Sequence, residues 1–182
     1  MTVLLVAFPG PGASVYSSDR QETPKMNGKA VNPEQRRSSL DPQIRTMDDF
    51  LKRHEVNEAN RDRLAESIVS SARKHDLDSR LIASILIVES RGNPFAISGK
   101  NAIGIMQVHL PTWGAIADRE GVNLLRIEDN VDFGARILKD YVRRFGLWDG
   151  VKRYNGFFVN DPVSEQSAQE YVEKVQRVYE FQ

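Results

Sequence analysis

One carboxylate stands at the edge of an apolar run. The stretch Ser84–Glu89, read SILIVE, closes on Glu89 and is followed at once by a loop rich in turn residues. At about 100° per residue, Glu89 shares a helical stripe with Leu81, Ile82, Ile85 and Leu86, so it faces the core side. It also falls in the last turn, where unpaired carbonyls carry partial negative charge. Desolvation and the helix end both disfavour the ionised carboxyl, so its pKa rises. A glutamic acid that keeps its proton near neutrality is equipped for general acid catalysis. Taken alone, the residue reads first as a structural carboxylate neutralised by Arg80 or Arg91.

The following loop shifts that reading. Gly92, Asn93-Pro94, Ser98-Gly99 and Asn101 are turn formers that bring backbone amides close to a ligand. Gly104 permits a second close approach, and Gln107 supplies a donor and an acceptor. Further along, Tyr154-Asn155 adds another polar pair after an amphipathic segment. This assortment suits a polyhydroxylated, amide-bearing ligand better than a phosphate or an apolar one.

The elements that must position these groups are helical almost throughout from Thr46. Thr46 with Asp49 resembles a capping box for a first short helix, and Asn57 caps a second with the stripe Leu64, Ile68, Val69 and Ala72. Asp78 caps the helix that ends at Glu89, with Leu77 and Ile82 placed as a hydrophobic staple. Residues 102–108 allow a brief extended piece. Pro111 opens another helix and Gly121 follows its end. Asp129 or Asn130 begins the next, striped by Phe133, Ile137, Leu138, Tyr141 and Phe145 and stopped by Gly146. A short helix runs through Val151 and Tyr154. The last opens at Ser167-x-x-Glu170 and carries Tyr171, Val172, Val175, Val178 and Tyr179. The class is therefore mainly α with at most a minor β element, in one domain over residues 46–182.

Residues 1–45 read as a flexible tail or tether, because Pro, Ser, Gly, Asn and mixed charge leave too little apolar surface to offset ordering entropy. Within it, Val3–Phe8 is either a remnant signal segment or part of a plain tail, since no positive charge precedes it and it is short for a signal core. No later stretch is long enough to span a bilayer. Lys+Arg and Asp+Glu balance at 25 each, which gives no electrostatic reason to expect nucleic acid as a partner. The absence of cysteine removes disulfides and thiolates, and three scattered histidines without an HExxH pair argue against zinc. Met106 reads as core filler, Trp113 and Trp148 as packing residues before groove residues, and His109 as a rim residue.

Several blocks together resemble a known family. E-S-x-x-N-P-x-A-x-S over residues 89–98, Ala102, G-I-M-Q over 104–107 and Y-N at 154–155 are similar to the Slt-type soluble lytic transglycosylases, lysozyme-fold enzymes that cut the glycan strand of peptidoglycan. Asn130 with G-A-R-I-L at 134–138, and Tyr171-Val172, resemble the family's later helices. The resemblance covers roughly residues 60–180. It implies a lysozyme-like fold and assigns Glu89 as the single catalytic acid and base, with Ser90 helping to orient its carboxyl. It places Ser98 and Gln107 against the sugar, and Tyr154 with Asn155 near the reacting centre. Asn101 stands where glycine is usual, Arg153 where alanine is usual, and Gly156-Phe157-Phe158 replaces an Ala-Gly-Pro-like turn.

The activity so implied is non-hydrolytic cleavage of the β-1,4 bond between N-acetylmuramic acid and N-acetylglucosamine, leaving a 1,6-anhydromuramyl end, with neither metal nor organic cofactor. Two alternatives stay open: a hydrolytic goose-type-like lysozyme, and a non-catalytic wall-binding or assembly module. The substrate implies a periplasmic or cell-envelope location. The tail is a candidate docking segment for secretion, conjugation or phage machinery.

Overall fold

The computed structural model describes residues 41–156 and 162–181. Their elements, in chain order, are α1 (Pro42–Arg53), α2 (Glu58–His75), α3 (Ser79–Ser90), β1 (Ala102–Ile103), β2 (Val108–His109), α4 (Leu110–Arg119), α5 (Ile127–Phe145), α6 (Leu147–Tyr154) and α7 (Pro162–Glu180). The mainly helical class with a very small sheet is as expected. Residues 1–40, on which most of the expected tail falls, lie outside the described residues, as do the departures at Phe157 and Phe158. No helix among the described residues is long and apolar enough to cross a membrane.

α3 is the axis of the fold. All seven residues from Leu81 to Ile87 are buried, as expected for a helix that is apolar on every side. Asp78 caps it by accepting the Arg80 amide at 2.8 Å, and Arg91 ends it in the left-handed conformation at φ 54°. Around α3, one cluster joins Leu51, Leu64, Ile68, Met106, Leu138, Val151 and Val175 from five other helices and the loop. A second, smaller cluster of Val108, Ala117, Leu124, Phe133 and Ile137 sits under the β-hairpin and α4. Asn57 caps α2 as expected, through the Ala59 amide at 2.9 Å.

Three element boundaries differ from the sequence expectation. α1 starts at Pro42, capped by Asp41, whose carboxylate accepts the Gln43 amide at 2.8 Å. Thr46 therefore lies inside α1, its hydroxyl donating to the Pro42 carbonyl one turn back. The helix reaches back into the expected tail because Phe50 and Leu51 pack on the core and Asp48, itself buried, receives Arg61 of α2 at 2.6 Å. α5 begins at Ile127, so Asp129 sits in its first turn and Asn130 is an interior residue. α7 begins at Pro162, which leaves Ser167 and Glu170 within it and not at its cap.

Candidate active site

Glu89 ends α3 with its neighbours Val88 and Ser90 only partly buried, so the carboxyl sits at the rim of the core and not inside it. Its Oε1 accepts a 2.7 Å hydrogen bond from the Tyr171 hydroxyl of α7. Burial pushes the Glu89 pKa up to about 7, and the Tyr171 bond pulls in the opposite direction. The neutralising cations considered from sequence are engaged or placed elsewhere. Arg80 donates to the Phe181 carbonyl and lies 5.1 Å above the Phe50 ring, and Arg91 is exposed at the helix end. A desolvated acid with no cationic partner among the described residues, held by a neutral phenol, is the arrangement that keeps a proton near neutral pH.

Ser90 points away from its neighbour. Its hydroxyl donates to the Ile105 carbonyl at 2.7 Å and more weakly to the Leu86 carbonyl, and it accepts the Gly92 amide at 3.1 Å. It thus staples the loop to the helix end, and the contact on the carboxyl expected of Ser90 is made by Tyr171. The loop then folds into a miniature sheet: β1 and β2 pair antiparallel, Ile103 opposite Val108, and Ile97 bridges to Ile103 from the other side. Ser98 accepts the amides of Lys100 and Ala102. Asn101 adopts φ 59°, a left-handed conformation that asparagine tolerates where glycine is usual.

Gln107 and Asn130 hold this loop in shape. The Gln107 side chain donates to the carbonyls of Ala96 at 3.1 Å and Gly104 at 2.9 Å, so its amide nitrogen is used by the loop. Asn130, 1% exposed, accepts the Met106 amide at 2.8 Å and donates to the carbonyls of Ile103 and Leu124. Gly104 makes the approach possible: at φ +77°, an added Cβ would lie 2.3 Å from the Asn130 amide nitrogen and 2.6 Å from the Leu124 oxygen.

α6 brings Tyr154 to the same place. Its hydroxyl donates to the Met106 carbonyl at 2.7 Å, and burial holds its pKa well above the ordinary value, with the nearby Glu89 charge adding to the effect. The tyrosine is therefore a neutral donor and no base. Gly134 of α5 lets Met106 and Tyr154 meet it closely, since a Cβ there would stand 2.8 Å from the Met106 side chain and 3.0 Å from the Tyr154 oxygen. Met106 is fully buried, as expected. Asn155 caps α6 and is exposed. Trp113 packs edge-on to Phe133 at 6.5 Å and Trp148 to Tyr179 at 5.9 Å, in line with the packing roles read from sequence.

Ser90, Gln107 and Tyr154 are thus joined through the segment 104–107, with Glu89 beside Ser90 in the chain. Ser98 and Asn155 occupy the loop and the exposed end of α6. Sequence reasoning missed the direct roles of Tyr171 and Asn130: the first read as a stripe residue and the second as a cap. Two other acids are engaged at the surface, Glu120 with Arg136 at 2.7 Å and Glu128 with Arg63 at 2.9 Å. A groove of about 630 Å³ between α2 and α5 is lined by both of these pairs and does not include Glu89.

Residues 66–174 match the family described as Transglycosylase SLT domain. A 48-residue stretch is 50% identical to the membrane-bound lytic murein transglycosylase E of Buchnera aphidicola, covering 26% of this chain and 22% of that protein. Over 82 residues the chain is 37% identical to a transglycosylase of Enterobacteria phage PRD1, covering 44% and 29% respectively. Over 105 residues it is 35% identical to the membrane-bound lytic murein transglycosylase C of Haemophilus ducreyi, covering 53% and 26%. The chain thus spans less than a third of the length of each of these relatives. With the family match covering well over half of its length, the chain belongs to the transglycosylase SLT domain family.

Proposed function

We propose that this chain is a lytic transglycosylase that cuts the β-1,4 bond between N-acetylmuramic acid and N-acetylglucosamine in peptidoglycan, with Glu89 as acid and then base. The observation that carries this reading is the Glu89 carboxyl itself: partly accessible, raised to about 7 and held by Tyr171.

The acid form protonates the bridging glycosidic oxygen as the bond to the muramyl anomeric carbon breaks. The 2-acetamido oxygen of that sugar stabilises the cationic centre, the role that a second carboxylate fills in ordinary glycosidases. Glu89, now an anion, keeps the Tyr171 hydroxyl as a donor, so the charge formed is met by a bond already in place. It then takes the proton of the 6-hydroxyl, whose oxygen closes on the anomeric carbon to give the 1,6-anhydro end. Atoms balance without water, and the intramolecular attack gains from high effective molarity.

The carbonyl oxygen of Gln107, the Ser98 loop and Asn155 are the groups that contact the sugar in this reading. Tyr154 acts through the Met106 carbonyl, fixing the wall of the cleft. The substrate puts the chain at the cell envelope. Relatives named as murein transglycosylases, and one from a phage, support both a wall substrate and a setting in wall turnover or phage entry. Residues ahead of α1 serve as the tether to such machinery.

Mass spectrometry of purified peptidoglycan digests tests the assignment. The expected products are muropeptides with 1,6-anhydromuramyl ends, absent with Glu89→Gln. Reducing ends alone would make the chain a hydrolase, and equal clearing by Glu89→Gln would remove Glu89 from the chemistry.

A further inference from the structure

Two tyrosines of α7 reach two acids of α3, one at each end. Tyr171 donates to Glu89 at 2.7 Å, and Tyr179 donates to Asp78 Oδ2 at 2.6 Å. The helices therefore run antiparallel. Asp78 and Glu89 are separated by eleven residues, about 16 Å of helix, and Tyr171 and Tyr179 by eight, about 12 Å. What lies between is apolar: Val172 and Val175 of α7 join Ile82, Ile85 and Leu86 in one core cluster. Burial of such surface is non-directional and leaves sliding along the helix axis weakly specified. Directional bonds to carboxylates are what set the register.

Asp78 has two duties, each using its own oxygen. Oδ1 accepts the Arg80 amide and caps α3, while Oδ2 receives Tyr179. The same end is fastened again where Arg80 donates to the Phe181 carbonyl just past α7. The Tyr179 ring also meets Trp148 edge-on at 5.9 Å, which ties α6, the helix that carries Tyr154, to the same point. Tyr171, which bonds Glu89, and Tyr154, which feels its charge, are thus carried by two helices joined at Tyr179.

We infer that Asp78 and Tyr179 form a register pin, a pair of positioning residues that set the Tyr171–Glu89 contact from the far end of α3. This rests on the assignment of Glu89 above. The group that acts on the Glu89 carboxyl is the Tyr171 hydroxyl from α7, while the Glu89 charge raises the pKa of the Tyr154 phenol from α6; those around the pin are Asp78, Tyr179 and Arg80. With the pin removed, the apolar contacts keep α7 docked and the carboxyl buried, while the Tyr171 bond lengthens. A weaker donor to the anion leaves desolvation less opposed, so the midpoint of Glu89 moves up.

The test is a carbon-13 NMR titration of the Glu89 carboxyl in the parent chain and in Tyr179→Phe, Asp78→Asn and Tyr171→Phe, with thermal unfolding of each. The expected midpoint rises by about half a unit in Tyr179→Phe and by about one unit in Tyr171→Phe, with Tyr179→Phe still folded. Asp78→Asn keeps one oxygen for the cap and can offer its amide N–H to the Tyr179 oxygen in place of the lost acceptor, so it should move the midpoint less than Tyr179→Phe. An unchanged midpoint in Tyr179→Phe beside a raised one in Tyr171→Phe overturns the pin. So does a larger rise in Asp78→Asn than in Tyr179→Phe. The readout does not depend on turnover: a raised midpoint in a chain that leaves peptidoglycan intact keeps the pin and sinks the proposed function.

Discussion

Asn130 on α5 receives the Met106 amide at 2.8 Å and returns its own amide protons to Ile103 and Leu124. One buried side chain thus closes three backbone groups from two loops, and the segment 104–107 owes its shape to it. Asn130→Ala leaves all three without their partner in a site that is 1% exposed. We expect a loss of about 2–4 kcal/mol, read by denaturant unfolding. Glycan cleavage should fall further than the loss of folded protein explains, since Ser90, Gln107 and Tyr154 all lean on this segment.

Gly104→Ala attacks the same junction from the other side. A methyl group would meet the Asn130 side chain and the Leu124 carbonyl at 2.3 and 2.6 Å, on a backbone at φ +77°. Backbone strain and overpacking together predict a cost of about 3 kcal/mol or more. A melting temperature equal to that of the parent would contradict this geometry.

Glu89 makes stability depend on pH in a direction opposite to most carboxylates. Its folded pKa of about 7 lies above the ordinary value of 4.5, so the native state holds the proton longer than the unfolded chain. The favourable contribution is complete below about 4.5 and is lost as pH rises through about 7. Glu89→Gln removes the dependence and keeps an acceptor for Tyr171. It should be more stable than the parent by about 2–3 kcal/mol at pH 8, discounted for partial exposure, and about equal at pH 4. Paired denaturation curves at the two pH values decide it.

On the mechanism proposed above, the same proton governs rate. With Glu89 as the acid, kcat/KM should fall about tenfold per unit on the alkaline side of pH 7. Tyr171→Phe should carry this limb to higher pH while lowering the plateau by about 10–100-fold, because the carboxylate formed in the reaction loses its donor. Turbidity loss of purified peptidoglycan across pH 5–9 measures both. A limb that stays in place in Tyr171→Phe would show that another group controls it.

How much of this could be read in advance follows from distance along the chain. α3 was legible because its cap, its apolar run and its terminal acid are contiguous, and the raised pKa of Glu89 follows from its place on that stripe. Tyr171 was not, since it lies 82 residues away and has the spacing of an ordinary core residue. Asn130 looked like a cap because asparagine ahead of a periodic run is a common start signal, whereas its partners come from a turn and a hairpin that only the fold brings near. The starts of α1 and α7 were written in the sequence all the same. Pro42 and Pro162 each stand at the head of a helix, the position that proline favours, and the later Ser and Thr patterns drew the boundary inward.

The parts around Glu89 are supplied by residues 105, 154 and 171, far apart in the order of synthesis. A nascent chain that has not yet acquired α7 lacks the helix that covers this carboxyl and lends it a hydroxyl. Such a chain has less of the burial that raises the Glu89 pKa, and so less of a proton to give at neutral pH. On the assignment proposed for Glu89, copies that stop short of α7 should therefore leave purified peptidoglycan uncleared.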